Sequence, residues 1–188
     1  MEKNYVPKRP ESRRLGAVFF LLLLGCVPGC GAKEPPLSPA AAAFKKEIRE
    51  CIAMLAVPLT ERVMKRDIPA IQVCLAQIEP EVIKLCRRCP FRLGVLDREG
   101  NTLAVHPPKK TGDLDFYRYD VVQQALKEHR ITRQRLFLQD GSKLYVVCAP
   151  LLQEQKTVGI LAVALSADEA RTRWGLTEEE FLVIDFNR

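Results

Sequence analysis

The stretch Val95-Leu-Asp-Arg-Glu-Gly-Asn-Thr-Leu-Ala-Val-His-Pro107 decides how this chain is read. An apolar run from Phe91 ends at Asp97, and a second, Thr102–Val105, follows. Between them lie Arg98-Glu99-Gly100-Asn101, polar residues of the kind that turn a chain. Two short apolar runs around a glycine-bearing turn predict a β-hairpin.

Working downstream, residues 106–117 (HPPKKTGDLDFY) have no apolar period and predict an irregular loop. Val121, Val122, Ala125 and Leu126 then predict a helix from about Tyr119 to His129. Three more strands follow, over about 131–138, 143–150 and 157–165, with Asp140-Gly141 as a tight turn and Gln153–Lys156 as a polar loop. Beyond them are two helix-start signals, Ser166-x-x-Glu169 and Thr177-x-x-Glu180, the second followed by Phe181, Leu182, Ile184 and Phe186.

Upstream of the hairpin the period is helical. Ser38-Pro39 is a helix start, and Phe44, Ile48, Cys51, Ile52 and Leu55 predict one amphipathic helix over about 39–56, ended by Pro58. Thr60 is placed to cap a short further turn through Met64. From about Asp67, the residues Ile68, Ile71, Leu75, Ile78, Val82 and Leu85 alternate by three and four, with Pro80 expected to kink or restart the helix. Such a seam serves either a dimerising coiled coil or a helix packed on the domain's own sheet, and its short length favours the second.

The first 25 residues set the compartment. Lys3, Lys8, Arg9, Arg13 and Arg14 precede an uncharged run, Leu15–Leu24, about ten residues long. That is the length of a signal-peptide core and short of the roughly 20 residues that span a bilayer. The run ends in Leu23-Leu24-Gly25-Cys26, which resembles a bacterial lipobox and implies lipidation of Cys26. Cys30 also follows a glycine, but Pro28 just before it favours Cys26. Gly31–Pro39, with three prolines, reads as a tether. The whole chain carries +6; without the five basic and two acidic side chains of residues 1–25, its 29 basic and 23 acidic residues fall to a net +3. A nucleic-acid partner therefore has little electrostatic support.

A length of 188 residues with 47% hydrophobic composition fits one folded domain, and two histidines are too few for a multi-histidine metal site. No nucleophile–base pair or paired catalytic carboxylates can be assigned, so no enzyme is expected. Cys86-Arg-Arg-Cys89 lies between a helix and a strand and allows three readings: a structural disulfide, a metal or cofactor site, or a redox pair. Cys51, Cys74, Cys86 and Cys89 are the disulfide candidates, on adjacent predicted helices in a compartment that permits oxidation.

The order of helices, hairpin, loop and helix, then three strands resembles the extracytoplasmic PAS-like sensor family called Cache. The residues carry the likeness too. Asp97-x-x-Gly100 followed by His106-Pro107, Gly112-x-Leu114-x-Phe116, Val121–Leu126 and Val158-Gly159-Ile160-Leu-Ala-Val163 are similar to successive family elements, over about residues 45–165. The resemblance implies an α+β fold, a five-stranded antiparallel sheet with N-terminal helices on one face and a small-molecule pocket on the other. The chain then divides into a signal peptide (1–25), a tether (26–38), a helical region (39–90), the PAS-like core (91–165) and a helical tail (166–188).

The implied function is that of a lipid-anchored sensor in the cell envelope, facing the periplasm or exterior. Its ligand would be a small carboxylate or amino acid, with output through a partner protein or a homodimer and with no cofactor or metal. The alternatives are a thiol-redox or metal-binding lipoprotein using Cys86 and Cys89, and a structural envelope protein without a pocket. Arg118, between Tyr117 and Tyr119, is the candidate carboxylate contact, because a guanidinium presents a planar fork of donors. Its other reading is a solvated arginine at a helix start. His106 and Tyr145 complete the candidate ligand residues, although the place of His106 at a strand end favours a structural role such as capping a turn. Tyr145 and Cys148 must face opposite sides of their strand.

If Cys26 is the lipidated residue, Cys26→Ser will release the protein from the membrane fraction or block its maturation, because no thioether can form. Unchanged mass and unchanged fractionation would refute the assignment.

Overall fold

A computed structural model describes residues 36–85, 91–108 and 119–188, with side chains of the second helix described as far as Gln77. Residues 36–188 cluster as one unit. Cys26 and the tether as far as Pro35 lie outside the described residues.

Helix α1 spans Pro39–Met64. The Ser38 hydroxyl accepts the Ala41 N–H at 3.1 Å, and Pro39 occupies the first turn. The helix does not stop before Pro58 as its sequence predicts. The apolar face continues past the proline through Leu59 and Val63, 0% and 3% exposed. A proline inside a helix costs about 3 kcal/mol, and burying these two side chains returns about 1.5–3 kcal/mol each. Packing therefore outweighs the local signal.

The chain reverses at Arg66, a left-handed residue with φ 51°. The Asp67 N–H closes back on the Arg62 carbonyl at 3.0 Å, and the Asp67 carboxylate accepts the Ala70 N–H at 3.0 Å to start α2 (Ile68–Leu85). Helix α2 is unbroken across Pro80. Its residues Ile71 and Leu75 are fully buried in the domain's own core, against α1 and the hairpin, which is the intramolecular reading of the seam.

Five strands form one antiparallel sheet: β1 (Arg92–Asp97), β2 (Thr102–His106), β3 (Thr132–Phe137), β4 (Lys143–Gln153) and β5 (Lys156–Ser166), in the order β2-β1-β5-β4-β3. The predicted hairpin is β1–β2. Its turn is held by Asp97, whose buried carboxylate accepts the N–H groups of Glu99 (3.0 Å) and Asn101 (2.8 Å) and the Arg66 guanidinium (3.3 Å). The polar loop before β5 contracts to a two-residue turn, Glu154 and Gln155, both left-handed, as the twist of a tight hairpin requires. Helix α3 (Asp120–Glu128) crosses one face of the sheet.

The tail forms α4 (Ala167–Trp174) and α5 (Glu178–Val183). Both predicted caps are present: Ser166 accepts the Glu169 N–H, and Thr177 with Glu180 completes a capping box. Helix α5 is shorter than its apolar pattern suggests. Ile184 and Phe186 lie past its end yet are buried, whereas Leu182 is 42% exposed.

α1, α2 and the tail close the second face of the sheet around aromatic rings. Phe181 stacks on Tyr145 with centroids 4.1 Å apart, and Phe44 meets Trp174, Phe181 and Phe186 edge-on at 5.1, 6.2 and 6.3 Å. Of the disulfide candidates, Cys51 and Cys74 are buried in this apolar core as thiols, and no disulfide joins Cys51, Cys74 or Cys148 to one another. Cys86 and Cys89 lie outside the described residues.

Gly159 lies where β5 is tightly packed against both β1 and α1. A Cβ there would stand 2.5 Å from the Leu96 carbonyl oxygen and 2.7 Å from the Val63 side chain. Backbone cannot yield as a side chain can. Gly159→Ala will therefore destabilise the fold by at least about 2 kcal/mol, read as a lower urea midpoint with an unchanged slope; an unchanged midpoint would refute the close packing.

Candidate ligand-binding site

The two faces of the sheet are closed differently. The side under α1 is sealed by the aromatic core. The other side is covered, among the described residues, by the nine-residue α3, which rests Val121, Val122 and Ala125 on Leu96, Val146, Cys148, Ile160, Ala162 and Ala164. Much of this floor is small, because Cys148 lies directly opposite Ala162, and Val146 opposite Ala164, in neighbouring strands.

The start of α3 has no side-chain cap of its own at Tyr119. Strand β3 supplies the partners instead. The Val121 N–H donates to the Gln134 side-chain oxygen at 3.2 Å, and the Thr132 hydroxyl donates to the Val121 carbonyl at 2.6 Å. Thr132 is buried, so its bond is shielded from water. They fix the chain within three residues of Arg118. The far end of α3 stops at His129, left-handed at φ 52°, whose N–H returns to the Ala125 carbonyl at 3.1 Å and whose Nδ1 meets the Thr157 hydroxyl at 2.7 Å. His129 thus anchors the helix end to β5.

Tyr119 stands at the head of α3, partly buried against its cluster. Tyr117 and Arg118 lie outside the described residues. His106 ends β2 opposite Leu93, a residue of the core under α1, so the register puts it on the α1 side. Tyr145 is on that side as well, 3% exposed and stacked on Phe181, with burial pushing its phenol pKa up. This corrects its expected place: alternation along β4 turns Val146 and Cys148, not Tyr145, towards α3. The structure therefore separates Tyr145 from Tyr119.

Cys148 is fully buried, and burial raises its thiol pKa well above the ordinary range, so it stays protonated and unreactive. Thr132 and Gln134 were not legible as site-supporting residues. Their only sequence signal is polarity at alternate positions of a strand, which names no partner.

Three open clefts lined wholly by described residues lie elsewhere. One of about 560 Å³ is bordered by Arg66, Asp97, Arg98, Glu99 and Lys156. Asp97 is already committed to the β1–β2 turn, and the Arg66 and Arg98 guanidinium groups to Glu99, which leaves no convergent set of groups for chemistry. A second, of about 590 Å³, is mostly apolar and runs along Val57, Met64 and Leu152. The third, of about 490 Å³, lies between the β3–β4 hairpin and the tail. Among the described residues no group of three or more metal-ligating side chains is present, and no helix is long and apolar enough to cross a membrane.

Neither a family model nor a curated protein matches the chain. Solved structures do. The sensor domain of the V. cholerae histidine kinase DctB is 15% identical, with 73% of this chain and 54% of that one covered at a TM-score of 0.48. The ligand-binding domain of the Pseudomonas aeruginosa PAO1 amino acid chemoreceptor PctC, solved with GABA, is 12% identical, with 71% and 58% covered at 0.45. A domain of a sensory box/GGDEF family protein from Vibrio parahaemolyticus is 9% identical, with 74% and 60% covered at 0.55. The chain spans little more than half the length of these structures. Its antiparallel sheet in the order β2-β1-β5-β4-β3, with helices on one face and α3 on the other, together with the likeness to the Vibrio parahaemolyticus domain, gives this chain an α+β, PAS-like fold.

Proposed function

We propose that this protein is a lipid-anchored sensor of the cell envelope that binds a small carboxylate or amino-acid-like ligand beneath α3 and signals through a partner protein. One observation carries the reading. The sheet face away from the aromatic core is covered by a short helix over small side chains, and that helix is pinned at its first turn by Thr132 and Gln134. A short helix on a small-residue floor leaves room for a ligand where a long apolar helix would fill it. Arg118, three residues before the pinned Val121 in sequence, is the residue best suited to a carboxylate. The site reading makes the protein a binding module rather than an enzyme, with Tyr119 at the head of α3 and Tyr117 and Arg118 just before it in sequence.

A thermal-shift screen of amino acids and short organic acids on the full chain tests the reading, followed by calorimetry on any hit. A true ligand at a hundredfold over its Kd will raise Tm by about 5 °C or more. Arg118→Ala will weaken a carboxylate ligand by at least about 2 kcal/mol, roughly thirtyfold, with the fold intact. Arg118→Lys will recover only part of the loss, because an ammonium cannot make the planar two-bond contact. A hit whose affinity is unchanged by Arg118→Ala would remove Arg118 from the site, and a screen without hits would count against the reading as a whole.

A further inference from the structure

Strand β3 is gripped alternately from its two sides. Thr132 and Gln134 hold both backbone groups of Val121 in α3. The residues between and beside them hold the tail. Asn187 bonds to both the N–H and the carbonyl of Ile131, at 2.8 and 3.0 Å. The Arg133 guanidinium donates to the Leu182 carbonyl, at 3.1 Å through Nε and again through Nη2. Arg135 pairs with Glu178, which also takes Lys143 at 2.7 Å. Five consecutive residues, 131 to 135, thus bind tail, α3, tail, α3, tail. Over Thr132 to Arg135 the two-residue period of a strand makes this possible, while Ile131, just before β3, is held through its backbone. Any shift or twist of β3 therefore moves both sets of contacts together. β3 is also an edge strand, paired only with β4, and so has the freedom to shift that a central strand lacks.

We propose that β3 couples α3 to the C-terminal segment 178–187, so that ordering or release of α3 by a ligand beneath it is read out at α5. Thr132 and Gln134 are positioning residues in this device. The ligand as cause rests on the function proposed above; the coupling itself does not.

Hydrogen exchange of the full chain, with no ligand added, tests the coupling. Gln134→Leu removes the acceptor of the Val121 N–H, whereas Gln134→Glu keeps an oxygen there. The leucine variant should speed exchange in segment 119–126 and also in segment 178–187, the latter by about threefold to thirtyfold, the range for physically connected elements. The paired strands β1 and β5 should be unchanged, and Gln134→Glu should resemble the native protein in both segments. Coupling is reciprocal, so Asn187→Ala, whose direct effect is on Ile131, should speed exchange in segment 119–126. Asn187 is exposed, so this variant decides the matter by the same criterion if Gln134→Leu does not fold. Acceleration confined to the side that was mutated, or spread equally into β1 and β5, would overturn the coupling. Because no ligand is present, that failure would leave the ligand reading standing, and a failed ligand screen would leave the coupling standing.

Discussion

The stack of Phe181 on Tyr145, with Phe44 edge-on to Phe181, is the contact on which the rest of this structure depends. It joins three parts of the chain that are far apart in sequence: the tail, the centre of the sheet and α1. Offset-stacked and edge-to-face rings add about 0.5–1.5 kcal/mol per pair beyond the area they bury. These rings and the apolar face of α1 fill the middle of one side of the sheet, and α3 covers the other. The same burial draws α1 past Pro58, because Leu59 and Val63 belong to the same apolar surface.

That division of labour between faces explains the pattern of side chains along β4 and β5. On the α1 side Tyr145, Val147, Ala149, Leu151, Leu161, Val163 and Leu165 meet the aromatic rings. On the α3 side Val146, Cys148, Ala162 and Ala164 alternate with them, flanked by the larger Leu144 and Ile160. The rings thus sit on one face, and a nine-residue helix suffices to cover the small centre of the other.

Much of this was legible in the sequence, for reasons that are local. Asp97–Asn101 specifies its turn through its own side chains, Ser166 and Thr177 announce their helices, and the alternation in β4 and β5 fixes their burial. The Phe91–Pro107 hairpin, the α3 pattern and the strand order carried the fold. What stayed hidden depends on contacts between distant residues. Pro58 reads as a stop until Leu59 and Val63 are seen to be buried. Alternation shows that Tyr145 and Cys148 face opposite sides but not which side is which; that follows only from Phe181, 36 residues later. Cys51 and Cys74 look like disulfide partners by count and compartment, yet the core treats them as small apolar side chains.

The edge of the sheet shows how one set of contacts can meet two demands. An exposed edge strand invites pairing with another chain, and proteins block it with charge or with covering groups. Here Arg133 and Arg135 put charge on β3, and the Asn187 amide occupies both backbone groups of Ile131 as a neighbouring strand would. Protection of the edge alone would be satisfied by any polar cover. These covers, however, are drawn from the tail that also carries Phe181, Ile184 and Phe186 into the core, while the intervening residues of β3 hold α3. Blocking the edge in this way makes the strand a shared boundary. Helix α3 over one face and the segment that closes the other are each bonded to it, so neither can loosen without altering the geometry that the other requires.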